Sequence, residues 1–145
     1  MASPDLTATQ VTTLHERAAE AAKNSYSPYS HFRVGAAILL DADATQNGVI
    51  VAGTNVENAS YRLTSCAEQA AIAAAVTLYG PAIRIRAVAV VNLNGAASMP
   101  CGACRQTIWE FSSPETAVYY PSGDGETVST TMAELLPAGF RLAVE

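Results

Sequence analysis

The chain has 145 residues, half of them apolar, so it can bury the core of one domain of ordinary size. Its formal net charge is −5, with eight basic residues against 13 acidic ones, which argues against a protein that holds nucleic acid through its phosphates. No apolar stretch approaches the ~20 residues that span a bilayer, and the first residues lack the pattern of a secretion signal. We therefore expect one soluble, cytoplasmic domain over residues 1–145, with neither a nucleic acid nor a membrane as partner.

The first half of the chain predicts one helix and a strand pair. Apolar residues recur every three or four positions from Thr7 to about Ser25, which predicts an amphipathic helix, and Pro28 places a loop after it. Two β-rich runs follow, RVGAAILLD and VIVAGTNVE, and the Asn47-Gly48 pair between them predicts an antiparallel hairpin. The polar segment TNVENASYRLTS is too long for a tight turn and predicts a functional or well-packed loop.

The second half predicts further helices and strands in alternation. The stretch from Cys66 to about Leu78 is apolar on all sides, which predicts a helix buried on more than one face. The apolar run at 85–91 predicts a buried strand, parallel to its neighbour because a helix separates the two. A helix from Cys101 to Phe111, a strand at 117–120, another short strand and a helical turn at 132–136 follow. This order predicts a mixed sheet with helices on both faces.

Three cysteines stand at the expected starts of two helices. Cys66 is the first residue of the helix predicted to end near Leu78. Cys101 and Cys104 lie three residues apart on one face of the helix predicted to end at Phe111. The N–H groups and the dipole of a helix N-terminus lower the pKa of a thiol. Strands that run in parallel can deliver both helix starts to one edge of a sheet, so the three sulfurs can converge.

Three thiolate ligands leave one position of a tetrahedral zinc site open. An open position is typical of a catalytic zinc, which lowers the pKa of bound water to about 7. Glu68, two residues after Cys66, can exchange a proton with that water without binding the metal. The pattern Cys-x-Glu followed by Pro-Cys-x-x-Cys, present at 66–68 and 100–104, is typical of zinc deaminases.

Other roles for these cysteines explain less of the pattern. Three core thiols would need neither a glutamate beside one nor a proline before another. A structural zinc needs a fourth ligand, for which His15 and His31 remain, and we expect His15 on the helix surface and His31 in a packed loop. A redox pair at Cys101 and Cys104 leaves the third cysteine and the glutamate without a role.

The chain resembles the cytidine deaminases, in particular the small homotetrameric type with three cysteine ligands. The resemblance runs from about Tyr26 to Phe140 and is carried by YSPYSHFRVGAAIL, NVENASYRLTSCAE, PCGACRQ and ELLPAGF. It implies a three-layer α-β-α sandwich around a mixed sheet of about five strands, with one zinc ion per chain. It also implies a nucleoside substrate and a homotetramer whose subunits share active sites.

The resemblance implies a role for individual residues. Glu68 would shuttle the proton, and the backbone N–H of Ala67 would contact the base. A flat base suits an aromatic partner, and vicinal hydroxyls suit an amide and a carboxylate. By composition alone, the same loop and aromatic residues could instead serve packing. The remaining implied contacts are Cys66, Cys101 and Cys104 to zinc, Asn55 and Glu57 to the ribose, Phe32 to the base or sugar, and Tyr61 and Phe140 from neighbouring subunits.

The residue after the glutamate departs from this family type. Arginine is usual at that position and would donate to the sulfurs, whereas this chain has Gln69, which donates hydrogen bonds without charge. We therefore expect Gln69 and Arg105 beside the zinc ligands, with Arg105 supplying more of the positive charge than usual.

Together these residues predict zinc-dependent hydrolytic deamination of cytidine, and of deoxycytidine, to the uracil nucleoside with release of ammonia. No glycine-rich phosphate loop is visible in the sequence, which favours a free nucleoside. The alternative is a related substrate, either blasticidin S, whose deaminase has a similar cysteine pattern, or an N4-substituted cytidine. The run around Phe32 and the NVEN segment favour cytidine.

Overall fold

The computed structural model describes residues 6–41 and 48–144, which form a five-stranded sheet with helices on both faces. The strands lie in the order β2-β1-β3-β4-β5, with β3 and β4 parallel and the other neighbours antiparallel. The predicted three-layer sandwich with a mixed sheet is thus confirmed. Its elements are α1 (Ala8–Ala22), β1 (Val34–Leu40), β2 (Val49–Thr54), α2 (Ala67–Tyr79), β3 (Ile85–Asn92), α3 (Gly102–Glu110), β4 (Ala117–Pro121), β5 (Thr127–Thr131) and α4 (Met132–Leu135), with a 3₁₀ turn at Tyr61–Leu63.

Helix α1 covers one face of the sheet. It begins after Thr7, whose hydroxyl accepts from the Gln10 N–H at 3.0 Å while the Gln10 side chain accepts from the Thr7 N–H at 3.0 Å, a reciprocal cap that satisfies two free donors. The helix touches the sheet closely, because a Cβ on Gly35 would lie 1.9 Å from the Ala18 carbonyl oxygen. His15 is half-buried with its ring 5.4 Å from that of Tyr119, so its predicted surface position holds only in part.

Strand β1 is buried on both faces, because alternate residues of a strand point to opposite layers. Ile38 and Leu40 join the core beneath α2 and α3, whereas Ala37 and Leu39 join the core beneath α1. Every residue of the strand is buried. This double burial explains why the strand reads as a continuous apolar run rather than an alternating one.

The neighbours of β3 differ from the prediction. Helix α2 does separate β2 from β3, and the two strands run in the same direction, since both are antiparallel to β1. However, β1 lies between them, so β3 pairs in parallel with β4 alone. The antiparallel pairing of β1 with β2 is confirmed, while Asn47 of the predicted hairpin lies outside the described residues.

Helix α2 lies directly on β2. A Cβ on Gly53 would lie 2.4 Å from the backbone nitrogen of Ala71 and 2.8 Å from the carbonyl oxygen of Ala67. Glycine at this position therefore lets the first turn of α2 rest on the strand. That turn carries Glu68, so the close approach determines the depth at which the carboxyl group lies.

No helix among residues 6–41 and 48–144 combines the length and apolar character needed to cross a membrane.

We expect Gly53→Ala to lower the free energy of unfolding by about 1–3 kcal/mol, the usual cost of overpacking, because the added methyl meets backbone atoms on α2. Urea denaturation of the purified protein measures this change. Thr77→Ala, at an exposed position of the same helix, is the control and should stay close to the wild type. A Gly53→Ala variant as stable as the wild type would contradict the close contact.

Candidate active site

Three thiols meet at the N-terminal ends of α2 and α3. Cys66 and Cys101 are the residues immediately before the two helices, and Cys104 lies in the first turn of α3. Their sulfur atoms all lie within 4.8 Å of one another. Cys104 is buried, Cys66 is half-buried and Cys101 is exposed, so the predicted convergence is present with one side open.

The thiols alter one another's protonation. Contact with the Cys104 thiol lowers the pKa of Cys66 to about 7. The same contact, together with burial, raises the pKa of Cys104. One thiolate is therefore favoured near neutral pH, whereas a second would face a negative charge at short range. A cation between the sulfurs removes that repulsion, which is how metal binding favours deprotonated cysteines.

This donor set fits zinc. Zinc binds thiolate sulfur at about 2.3 Å in a tetrahedral arrangement, which places two sulfurs about 3.8 Å apart. Sulfurs already within 4.8 Å of one another need only a small adjustment to reach that spacing. Gln69 donates from its Nε2 to the Cys104 sulfur at 3.8 Å, a contact that orients one of the three ligands.

Glu68 is a buried carboxyl group in the first turn of α2. Its exposed fraction is 5%, and burial raises its pKa above the usual range of glutamate. Among the described residues, the ion pairs join Lys23 to Glu20 and Arg86 to Asp41, and none includes Glu68. A carboxyl group whose pKa is raised by burial holds a proton more readily than an exposed one, which suits a group that accepts and releases a proton in turn.

A cavity of about 260 Å³ joins Glu68 and the thiols to the predicted substrate contacts. A larger cavity of about 410 Å³ beside α1 contains none of the cysteines, so we place the chemistry in the smaller one. The smaller cavity is lined by Phe32, Asn55, Glu57, Ala67, Glu68, the three cysteines, Ser30, Val34, Thr64, Ser98 and Met99.

Asn55 connects the end of β2 to the loop that precedes β1. Its Oδ1 accepts from the Ser25 hydroxyl at 2.5 Å and from the Val34 N–H at 3.1 Å. Its Nδ2 donates to the Phe32 carbonyl at 2.7 Å. The amide oxygen has both lone pairs in use, so one N–H of Asn55 is left for a ligand.

Glu57 holds the same loop nearer its middle. Its Oε1 accepts from the N–H groups of Tyr29 at 2.9 Å and Ser30 at 3.2 Å, and its Oε2 accepts from the Ser30 hydroxyl. These bonds, above all the one from the hydroxyl, lower the pKa of Glu57. The ionised carboxylate offers roughly four acceptor positions, so it can accept from a ligand as well as from the loop.

Two predicted contacts lie outside the cavity within one chain. The side chain of Tyr61 packs edge to face on Tyr29, with ring centroids 5.7 Å apart, and borders a neighbouring cavity of about 350 Å³. The exposed fractions are 74% for Tyr61 and 64% for Phe140. Their contribution from neighbouring subunits stays a prediction.

Arg105 connects the segment before Cys101 to α4. Its guanidinium donates to the carbonyl oxygens of Pro100 at 2.8 Å and Leu135 at 3.1 Å, and to the sulfur of Met99. The side-chain hydrogen bond to a cysteine sulfur comes instead from Gln69. The predicted charge compensation by Arg105 stays a prediction.

Five further residues line the cavity beyond the predicted contacts. Ser30, Val34 and Thr64 lie in the YSPYSHFRVGAAIL and NVENASYRLTSCAE segments, and Ser98 and Met99 directly precede Pro100. Their closeness in the chain to the recognised motifs is a signal that could have identified them.

Residues 8–120 match the family described as the cytidine and deoxycytidylate deaminase zinc-binding region. The chain belongs to this deaminase family. A relative named cytidine deaminase from Halalkalibacterium halodurans is 41% identical over 128 residues, which cover 88% of this chain and 91% of that protein.

Two solved structures of cytidine deaminases share the fold of this family member. The enzyme from Mycobacterium tuberculosis is 39% identical with a TM-score of 0.76, and the match covers 91% of this chain and 98% of that one. The enzyme from Burkholderia pseudomallei is 38% identical with a TM-score of 0.78, and the match covers 93% of this chain and 100% of that one. The zinc-binding deaminase fold therefore extends over most of the chain.

We expect Cys104→Ala to purify with less than about a tenth of the wild-type zinc per chain, because two thiolates bind the ion far more weakly than three. Elemental analysis by plasma mass spectrometry measures the metal content. Thr107→Ala, further along α3, is the matched control and should keep the wild-type content. Full zinc in Cys104→Ala would show that the ion is held elsewhere.

Proposed function

We propose that the chain hydrolyses the exocyclic amine of cytidine, and of deoxycytidine, to give uridine or deoxyuridine and ammonia. One observation carries the proposal: the buried carboxyl group of Glu68 and three converging thiols line the same cavity. The names of relatives about 40% identical over most of the chain support cytidine as the substrate. The enzyme would act in the cytoplasm, in pyrimidine salvage.

Cys66, Cys101 and Cys104 would hold one zinc ion per chain. When bound, zinc supplies Lewis-acid activation of the water that replaces the amine. Three thiolates exceed the charge of zinc by one, and the N-termini of α2 and α3 both direct positive potential at this excess. The amide of Gln69 adds a donor to Cys104, and Arg105 would add positive charge nearby.

Glu68 would carry the proton through the reaction. Its carboxylate accepts a proton from the attacking water and delivers it to N3 of the ring, and then accepts the second proton of that water, from the hydroxyl now on C4, and delivers it to the departing nitrogen. One water is consumed and one ammonia is released, while Glu68 returns to its starting state. Because Glu68 is two residues after Cys66, its carboxyl group would lie beside the zinc ligands without binding the metal itself.

The nucleoside would lie between the loop at 25–34 and the start of α2. Phe32 would pack against the base or sugar, and the free N–H of Asn55 with the carboxylate of Glu57 would hold the vicinal hydroxyls. Ala67 is the first residue of α2, where backbone N–H groups lack a partner within the helix. Its N–H is therefore free to contact the base.

The charge of the cavity favours a nucleoside over a nucleotide. The described residues that line it include Glu57 and Glu68 and no lysine, arginine or histidine. A phosphate group would meet these carboxyl groups without a cation to balance it.

We expect the wild type to convert cytidine to uridine and Glu68→Gln to be at least ~10²-fold slower, because the amide cannot carry the proton. The decrease in ultraviolet absorbance on deamination measures the rate, with zinc content determined on the same samples. Glu134→Gln, on an exposed site in α4, is the matched control and should keep the wild-type rate.

Two results would contradict parts of this assignment. A Glu68→Gln variant with unchanged turnover would remove the proton-carrying role. A wild type that binds one zinc per chain but does not convert cytidine would redirect the substrate toward blasticidin S or an N4-substituted cytidine, which the same assay tests directly.

We also propose a homotetramer in which Tyr61 and Phe140 complete the cavities of neighbouring subunits. Large apolar side chains remain exposed on the single chain at Tyr61, Leu78, Tyr79 and Phe140, which favours an interface between copies. Sedimentation velocity should show a species of four times the chain mass.

Mixed oligomers test the sharing of sites. Glu68→Gln and Phe140→Ala chains, each impaired alone, should regain activity when unfolded together and reassembled, because some cavities then receive Glu68 and Phe140 from different chains. Each variant reassembled by itself is the control. A stable active monomer, or no regained activity in the mixture, would contradict the shared site.

A further inference from the structure

Phe32 reaches the active-site cavity from a loop with an unfavourable backbone. The residue before it, His31, has φ 58, a left-handed conformation that residues with a side chain rarely adopt. The Phe32 ring is partly buried, packs on the core beneath α2 and α3, and lines the cavity. Such a backbone persists only where surrounding groups hold it.

The side chain of Asn94 bonds to the loop on both sides of Phe32. Its Nδ2 donates to the carbonyl oxygen of His31 at 2.9 Å, and its Oδ1 accepts from the N–H of Arg33 at 2.9 Å. One planar amide thus holds the residues immediately before and after Phe32. The N–H of Leu93 adds a bond to the Arg33 carbonyl at 3.0 Å.

Asn94 is itself held by the turn that follows β3. The Oδ1 of Asn92 accepts from the N–H groups of Asn94 at 3.0 Å and Ala96 at 3.2 Å, and its Nδ2 donates to the Ala96 carbonyl at 2.8 Å. Gly95 between them has φ 68. The same connection leads on to Cys101, so it joins the loop of Phe32 to a metal ligand.

The other bonds of Phe32 come from its own loop and from the end of β2. Its N–H donates to the Ser30 hydroxyl at 3.0 Å, and its carbonyl accepts from Asn55 at 2.7 Å. These bonds hold the N–H and the carbonyl oxygen of Phe32. The carbonyl oxygen of His31, the residue with the left-handed backbone, accepts instead from the side chain of Asn94.

We propose that Asn94 is a positioning residue that fixes the Phe32 ring against the nucleoside. This inference rests on the proposed function, because the ring needs a bound nucleoside to contact. Asn94 is absent from the cavity lining, so it acts through Phe32 and leaves the proton transfer untouched. Its loss therefore weakens substrate binding more than the chemical step, and KM changes while kcat stays nearly constant.

A double-mutant cycle tests the proposal, with kcat and KM for cytidine measured on wild type, Asn94→Ala, Phe32→Ala and the double variant. Loss of two hydrogen bonds should raise KM by roughly 3- to 10-fold in the wild-type background, with kcat changed by less than about 2-fold. In the Phe32→Ala background the same change should alter KM by less than about 2-fold, since no ring remains to be positioned.

Two further variants sharpen the test. Asn94→Asp keeps the acceptor for the Arg33 N–H but places a carboxylate against the His31 carbonyl, so it should raise KM as Asn94→Ala does. Asn24→Ala, an exposed asparagine after α1, is the control and should leave both constants unchanged. If Asn94→Ala does not fold, Asn94→Ser replaces it in the cycle and is interpreted in the same way.

An equal rise of KM in both backgrounds would overturn the inference, because Asn94 would then act by another route. A joint loss of kcat and zinc would overturn it too, since that outcome indicates a general disturbance of the segment before Cys101. A wild type without activity on cytidine would overturn the proposed function and this inference with it. If the wild type is active and Asn94→Ala changes KM equally with and without the Phe32 ring, this inference alone would be overturned.

Discussion

Helices α2 and α3 begin at the same edge of the sheet, because β2 and β3 run in one direction and both helices pack on one face. This geometry brings Cys66, Cys101 and Cys104 within 4.8 Å of one another. It also points two helix dipoles at a group of ligands that is negative when deprotonated. Gly53 makes the arrangement possible on one side, since any side chain there would lift α2 from β2.

The site combines groups that would be costly to bury separately. Glu68 lies in the interior without an ion pair to any described residue, and burial raises its pKa. The three thiols would repel one another if all were deprotonated, and a zinc ion removes that repulsion. Metal binding and proton transfer thus involve the same end of the cavity, where Glu68 and Cys104 are buried and electrostatic interactions are stronger than in bulk water.

The proposed substrate contacts also hold the loop that forms one wall of the cavity. Asn55 bonds to Ser25, Phe32 and Val34, while Glu57 bonds to Tyr29 and Ser30. The two interpretations of the NVEN segment, as loop support or as a ribose site, are therefore compatible. A side chain already held by the loop loses little freedom when a ligand binds, which favours affinity. The amide of Asn94 extends this support to the far side of Phe32.

The amino-acid sequence determined the elements and the metal site, because both depend on short-range spacing. The period of the apolar residues predicted α1, a continuous apolar stretch predicted α2, and the spacing of Cys66, Glu68, Cys101 and Cys104 specified the ligand chemistry. Only the tertiary structure decided which strand lies beside β3, that Gln69 rather than Arg105 contacts a cysteine sulfur, and that Asn94 bonds to the residues on both sides of Phe32. These features join residues that are distant along the chain, and no local periodicity records such contacts. Partial burial of His15 against Tyr119 has the same origin, since the strand that carries Tyr119 comes from a later segment of the chain.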